Sequence, residues 1–151
     1  MLNPRFTMAQ TYRQTPPLKR RDHILVVEDD ADARELIGAV LLQAGYAVEV
    51  AEDGFDALQK VSRMCPDLVL SDLQMPGMHG VELIQNLRQR QTNVPVILAT
   101  GLPETQNLQT DADLYGAVAV LAKPVNLDEL LWTIDSALAC YRNAAESAYA
   151  G

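Results

Sequence analysis

From His23 onward the chain alternates short, β-branched apolar runs with longer stretches whose apolar residues recur at helical spacing. The runs HILVV (23–27), AVEVA (47–51), DLVLS (67–71), PVILA (95–99) and AVAVLA (117–122) predict five strands. Between them, ARELIGAVLLQAG sets Ile37, Val40, Leu41 and Ala44 on one helical face and stops at Gly45, a residue suited to a helix end. VELIQNLRQR, residues 81–90, finishes in a basic turn that suits the negative end of a helix dipole. A last helix opens at Asn126-Leu-Asp-Glu129, a capping arrangement, and its apolar stripe runs through Leu127, Leu130, Leu131, Ile134 and Leu138.

Mostly apolar strands, each followed by a helix, mean an α/β fold with a parallel sheet covered on both faces. Right-handed crossovers and five strands favour a doubly wound, flavodoxin-like (βα)5 arrangement with strand order 2-1-3-4-5. In that order strands 1 and 3 are neighbours at the topological switch point, beyond whose carboxyl ends ligands bind. The polar residues of the chain fall at those ends: Glu28, Asp29 and Asp30 after strand 1, Asp72 after strand 3, Thr100 after strand 4 and Lys123 after strand 5.

Composition narrows the class without changing the fold. At 151 residues and 48% hydrophobic content the chain suits one compact domain with its own core. It holds no apolar run near the roughly 18 residues of a membrane span and no signal-peptide pattern, so the expectation is a cytoplasmic protein with no membrane insertion. Cys65 and Cys140 form no disulfide framework or CxxC pair and read as reduced structural residues. The net charge of −8 is uneven, because residues 1–21 hold Arg5, Arg13, Lys19, Arg20 and Arg21 and no acid, which leaves −13 on the rest. So acidic a body repels nucleic acid. Residues 1–21 have no apolar period and read as a disordered, solvated extension; the alternative is a basic arm for a membrane surface or an acidic partner.

The cluster at the strand ends carries the chemistry. Adjacent parallel strands lie about 4.8 Å apart, so Asp72 shares a pocket with the acids after strand 1. Crowded carboxylates repel unless a cation joins them, and an all-oxygen set without His or Cys, with room for water, suits Mg²⁺. Lys123 adds what a purely metal-binding site does not need, a point charge for phosphate oxygens, and the Thr100 hydroxyl is a further donor. Carboxylate, divalent metal, hydroxyl and lysine make a phosphoryl-transfer site with an aspartate nucleophile. A phosphatase of the Asp-x-Asp kind would need an acid where Gln74 stands, so a longer-lived aspartyl phosphate is the expected end state.

These segments together resemble the receiver domain of two-component response regulators. The resemblance is carried by HILVVEDD with Arg34 beyond it, VLSDLQMPGMHG, VILATG and LAKP, in order over roughly 23–140. It implies that Asp72 accepts phosphate from a histidine kinase or histidine phosphotransfer protein. Glu28 and Asp29 form the acidic pair, with Asp29 a direct Mg²⁺ ligand, and Gln74 offers its backbone carbonyl. Thr100 and Lys123 hold the phosphoryl oxygens, and a cis peptide before Pro124 aims the lysine inward. Two positions depart from the family pattern: Val120 stands where an aromatic switch residue is common, and His79 replaces a residue that is commonly acidic.

Each residue also has a plainer role to weigh. Asp72 would otherwise cap the following turn, Glu28 and Asp29 would be charges at a helix N-terminus, and Asp30 is read as such a cap. Met75 and Met78 are read as packing, and Leu102 flanks the site. Trp132 sits roughly 140° around the last helix from Leu127, so it marks a contact surface or packs partly against a neighbour; Tyr141 falls nearer the stripe and is read as structural.

The resulting expectation is an extension over 1–21, a stand-alone receiver domain over 22–145 and a short tail over 146–151, with no output domain. Such a chain is no enzyme beyond its own phosphorylation and hydrolysis. It signals to an unknown downstream protein by contact, with a homodimer left open, or passes phosphate on. The rivals are a phospho-independent interaction module, a receiver cut from a hybrid histidine kinase, and a flavin-binding domain.

Overall fold

The computed structural model describes residues 21–104 and 107–149. Strands β1 (His23–Val27), β2 (Ala47–Ala51), β3 (Leu68–Asp72), β4 (Val96–Thr100) and β5 (Ala119–Ala122) alternate with helices α1 (Ala31–Gln43), α2 (Gly54–Arg63), α3 (Gly80–Gln89), α4 (Leu108–Tyr115) and α5 (Leu127–Tyr149). All strand pairs are parallel and the order is β2-β1-β3-β4-β5, the doubly wound arrangement expected.

The two-residue period of the central strands separates two cores. Leu25 and Val27 of β1 pack with Val69, Leu98, Val120 and residues of α2, α3 and α4. Ile24 and Val26 point the other way, to Leu41 of α1 and Leu130, Ile134 and Leu138 of α5. Each fully buried Leu or Ile contributes roughly 1.5–3 kcal/mol by leaving water. β1, β3 and β4 are buried along their whole length, which is why they read as unbroken apolar runs.

Local signals explain the helix ends. Asp30 caps α1 by accepting from the amides of Asp32 and Ala33, as expected of it, and Asn126 Oδ1 accepts from the Glu129 amide at 3.0 Å at the start of α5. Gly45, at φ +101°, follows α1 in the left-handed region that a glycine enters without penalty.

Several expectations are corrected. AVAVLA does not start as a strand at 117, because Ala117 N–H still bonds Ala112 of α4 and β5 begins at Ala119. Strands β3 and β4 run one residue further than expected, so Asp72 and Thr100 are the last strand residues, fixed by sheet pairing. Leu127 is exposed because it opens α5 ahead of the turn that first meets the sheet, and Ala44 is the exposed cap of α1. Gly38 is buried on α1 alongside Leu41, with γ-methyls of Val48 and Val50 about 4 Å from where a Cβ would stand. Tyr141 is exposed rather than structural.

Helix α5 continues to Tyr149. Residues 1–20 of the basic extension lie outside the described residues. Among the described residues no helix is long and apolar enough to cross a membrane.

Candidate functional site

Because β1 and β3 are neighbours and end side by side, Val27 pairing with Ser71, the residues that follow them meet. Asp72 closes β3 with 3% exposure, and Glu28 leaves β1 with 5%. Glu28 is fixed by its backbone: its amide bonds the Ala51 carbonyl at 3.1 Å, and its own carbonyl accepts from Arg34 Nη1 at 2.9 Å. Its Oε1 accepts from the Asp30 amide at 3.2 Å. Asp29 stands exposed beside them, and oxygens of Glu28, Asp29 and Asp72 all lie within 4.8 Å of one another.

Lys123 reaches into this group from the end of β5. Its Nζ pairs with Asp72 Oδ1 and stands 3.9 Å from Glu28 Oε2. Its amide donates to the Thr100 carbonyl at 2.8 Å, so the ends of β4 and β5 are tied together. The Lys123–Pro124 peptide is cis, as the resemblance implied. Thr100 is 1% exposed, and its Oγ1 accepts from the Leu102 amide at 3.0 Å. That bond uses a lone pair and leaves the hydroxyl hydrogen free to donate.

The electrostatics follow from the crowding. Burial, and then the neighbouring Asp72 carboxylate, push the Glu28 carboxyl up to about 7. Burial works against the charge of Lys123, but the carboxylates of Asp72, Glu28 and Asp29 outweigh it and hold the lysine above its ordinary value. With all three acids ionised, the pocket carries three negative charges and one positive, a surplus that one divalent cation would neutralise. An all-oxygen donor set on one side of an open cleft fits a hard cation such as Mg²⁺. The enclosed cavity beneath Asp72 is about 30 Å³, room for a water, against roughly 300–1,000 Å³ for small-molecule pockets. At this cluster the acidic rim and the small volume do not suit a flavin.

The remaining expected residues take varied places. Gln74, two positions past Asp72, is exposed, and its ligand role rests on the resemblance. Val120 is buried in the core shared by α2, α3 and α4, where it packs as an ordinary aliphatic. Met75 and Met78 are buried as packing residues. His79 stands at the N-cap of α3 without a side-chain capping bond. Trp132, at 71% exposure, lies on α5 away from the cluster.

Two contributors were not singled out from sequence as parts of the site. Arg34 braces the Glu28 carbonyl from one turn into α1. Gly80 lets the start of α3 close on the site: a Cβ there would stand 2.6 Å from the Asp72 carbonyl oxygen and 2.9 Å from Leu73 Cα. The sequence signal for it was a second glycine close behind the Met-Pro-Gly turn, in the segment MPGMHG.

Residues 24–135 match the family model described as the response regulator receiver domain. The chain is 36% identical over 109 residues to sporulation initiation phosphotransferase F of Bacillus subtilis, covering 72% of this chain and 87% of that one. It is 35% identical over 130 residues to the transcriptional regulatory protein FixJ of Bradyrhizobium diazoefficiens, covering 84% of this chain but only 62% of that relative's length. Its backbone matches a CheY-like response regulator receiver domain protein from Methanospirillum hungatei with a TM-score of 0.75 and 29% identity, over 83% of this chain and 99% of that one. With the sheet order and the acidic cluster already in place, these matches establish that the chain belongs to the response regulator receiver domain family, the phospho-accepting switches of two-component systems.

Proposed function

We propose that Asp72 is the phosphoryl acceptor of this receiver, with Glu28, Asp29, Asp72 and the Gln74 carbonyl as the Mg²⁺ site and Thr100 and Lys123 as the phosphoryl-binding pair. The observation that carries the reading is the buried Asp72 carboxylate held between a lysine and two further acids at the carboxyl ends of β1 and β3. An isolated buried carboxylate has no reason to gather two more around it, since each adds repulsion.

In the transfer, an Asp72 carboxylate oxygen attacks phosphorus in line with the leaving group. The new O–P bond forms as the P–N bond of a phosphohistidine breaks, and the imidazole leaves with the electron pair. Lys123, already against Asp72, supplies a positive charge to one phosphoryl oxygen, and the Thr100 hydroxyl donates to another. Bound Mg²⁺ would offset the charge shared by the acids and the incoming phosphoryl group. The donor is a histidine kinase or histidine phosphotransfer protein. Readout is by contact with a downstream protein, which prefers one of two conformations of the β4 and β5 ends, or by onward relay. The chain turns over no substrate other than its own phosphate. Two free cysteines and a phosphohistidine donor suit the reducing cytoplasm.

Intact-protein mass after incubation with acetyl phosphate tests this. A single Mg²⁺-dependent phosphoryl adduct, absent in Asp72→Asn, is expected. An adduct that survives Asp72→Asn sinks the assignment of Asp72. Failure to form any adduct favours a second reading, a phospho-independent contact module, to which the aliphatic packing of Val120 gives its support.

A further inference from the structure

Away from the carboxylates, a groove runs between α2 and α3 that the phosphoryl chemistry does not use. Phe55, Leu58, Gln59, Ser62 and Arg63 of α2 line it, and Arg90 at the cap of α3 closes it. The five α2 residues stand at the i, i+3, i+4, i+7, i+8 spacing of a single helical stripe. Leu58 is buried, but Phe55 is 59% exposed. Its ring borders the loop that follows Asp72, with Cε2 3.5 Å from where a Cβ on Gly77 would lie.

Charge is segregated along the groove. The acids of the two helices, Asp56 and Glu82, lie in their first turns, and Asp56 is paired with Lys60 at 3.1 Å. Arg63 lies about 12 Å along α2 from Phe55 by helical rise. Arg90 reaches the same end, where its Nη1 donates to Ser62 Oγ at 3.3 Å. The other arginines of the helices are engaged: Arg34 and Arg88 bind backbone carbonyls, and Arg142 binds Asp22. Among the described residues Arg63 has no hydrogen-bond or ion-pair partner, and Arg90 has only that neutral hydroxyl. One end of the groove is thus an exposed ring, and the other is two uncompensated guanidinium groups in a chain whose net charge is −8.

Aromatic rings and arginines are the side chains that interfaces favour, and their separation here selects what fits. A small anion would pair with the arginines and leave Phe55 and Leu58 bare. A wholly apolar segment would strip water from the arginines and pair with neither. A helix that carries both an apolar face and acids satisfies the whole length, and a groove between two helices takes such a helix along its axis. We infer that the α2–α3 groove is a docking site for an amphipathic helix of a partner protein, its apolar face on Phe55 and Leu58 and its acidic end against Arg63 and Arg90. Because acids stabilise a helix at its N-terminus, the partner helix starts at the arginines and runs antiparallel to α2. Single-stranded nucleic acid also stacks on aromatic rings, but two cations are too few to hold its backbone against an acidic chain. Docking here does not depend on phosphorylation of Asp72.

A dye-labelled synthetic helix with Glu in its first turn and a stripe of Leu and Phe behind it provides the test, beside a control peptide in which each Glu is Lys. In fluorescence anisotropy with the full chain at low salt, the Glu peptide is expected to bind wild type at least roughly tenfold more tightly than a variant with both Arg63→Glu and Arg90→Glu. The double variant should instead prefer the Lys peptide, a reversal that also shows it to be folded. Phe55→Ala should weaken the Glu peptide by roughly fivefold or more while keeping its preference over the Lys peptide. Equal binding of the Glu peptide to wild type and double variant, or no binding, overturns the inference. So does an affinity that Phe55→Ala leaves unchanged while inorganic phosphate displaces the peptide, which reduces the groove to a simple anion site. A labelled oligothymidylate that binds wild type more tightly than the Glu peptide overturns it in favour of nucleic acid. A mass in light scattering that doubles with concentration in wild type but not in the double variant overturns it in favour of a second copy.

Discussion

The carboxyl ends of β1, β3 and β5 and the outer face of α5 both depart from the rule of apolar inside and polar outside, in opposite directions. The first buries charge: Glu28 and Asp72 are each at most 5% exposed, with Lys123 drawn in beside them. The second leaves Trp132 in water. The two departures differ in energetic weight. A buried unpaired carboxylate costs several kcal/mol and persists only where neighbours compensate it, whereas an exposed aromatic forgoes burial and strains nothing. The charged cluster therefore constrains the surrounding fold, and the aromatic face does not.

That contrast can be broken first at Lys123. With Lys123→Ala, the adduct on Asp72 is expected to form more slowly by roughly 10²–10³-fold, by analogy with the loss of one preorganised donor to a developing oxyanion. Time-resolved intact mass with acetyl phosphate and Mg²⁺ measures it, and a rate within a factor of three of wild type would remove the lysine from the chemistry. Lys123→Arg keeps the charge but widens the head group, so partial recovery would locate the effect in charge rather than shape.

Gly80 tests how tightly the backbone closes on the same site. In Gly80→Ala the new methyl meets the Asp72 carbonyl and Leu73 Cα, both backbone atoms that do not rotate away. Overpacking of that kind costs about 3 kcal/mol, read as a lower urea midpoint. Little change in midpoint would mean that the start of α3 is free to shift from β3.

A smaller and pH-dependent effect belongs to Glu28. Its folded carboxyl titrates at about 7 against an ordinary 4.5, so between those values the unfolded chain has lost the proton while the folded chain keeps it. Stability of the metal-free protein is therefore greatest below about 4.5, with respect to this group, and falls as pH rises to about 7, by on the order of 2 kcal/mol. Urea unfolding in EDTA across that window, compared with Glu28→Gln, measures it: the variant should lack the decline. Added Mg²⁺ should flatten it in the wild type, because a bound cation favours the carboxylate. A decline of equal size in Glu28→Gln would place the titration elsewhere.

The same asymmetry explains what could be read before the fold was known. The central strands were legible because burial on both faces leaves unbroken runs such as HILVV and the Leu68-Val69-Leu70 stretch, and the parallel order then brought Asp72 to Glu28 and Asp29. Strand ends were less legible, because Ala117 returns its amide to Ala112 of α4 although it belongs to the same apolar run, and no apolar pattern reports that bond. Gly80 and Arg34 were missed as site residues because their roles are contacts to backbone carbonyls, which belong to the fold rather than to any motif. On α5, helical spacing placed Leu130, Ile134 and Leu138 correctly but could not say how far the stripe extends at either end, where Leu127 and Tyr141 turn out to be exposed.

The smallest expected effect is on the aromatic face, and its smallness is informative. Trp132, 71% exposed, should cost no more than about 0.5 kcal/mol of stability in urea unfolding when changed to Ala, the range for exposed positions. A tryptophan in a core would cost roughly 3–5 kcal/mol. A loss near the core value would mean that α5 packs Trp132 against the body, and the two regions would then no longer differ in kind.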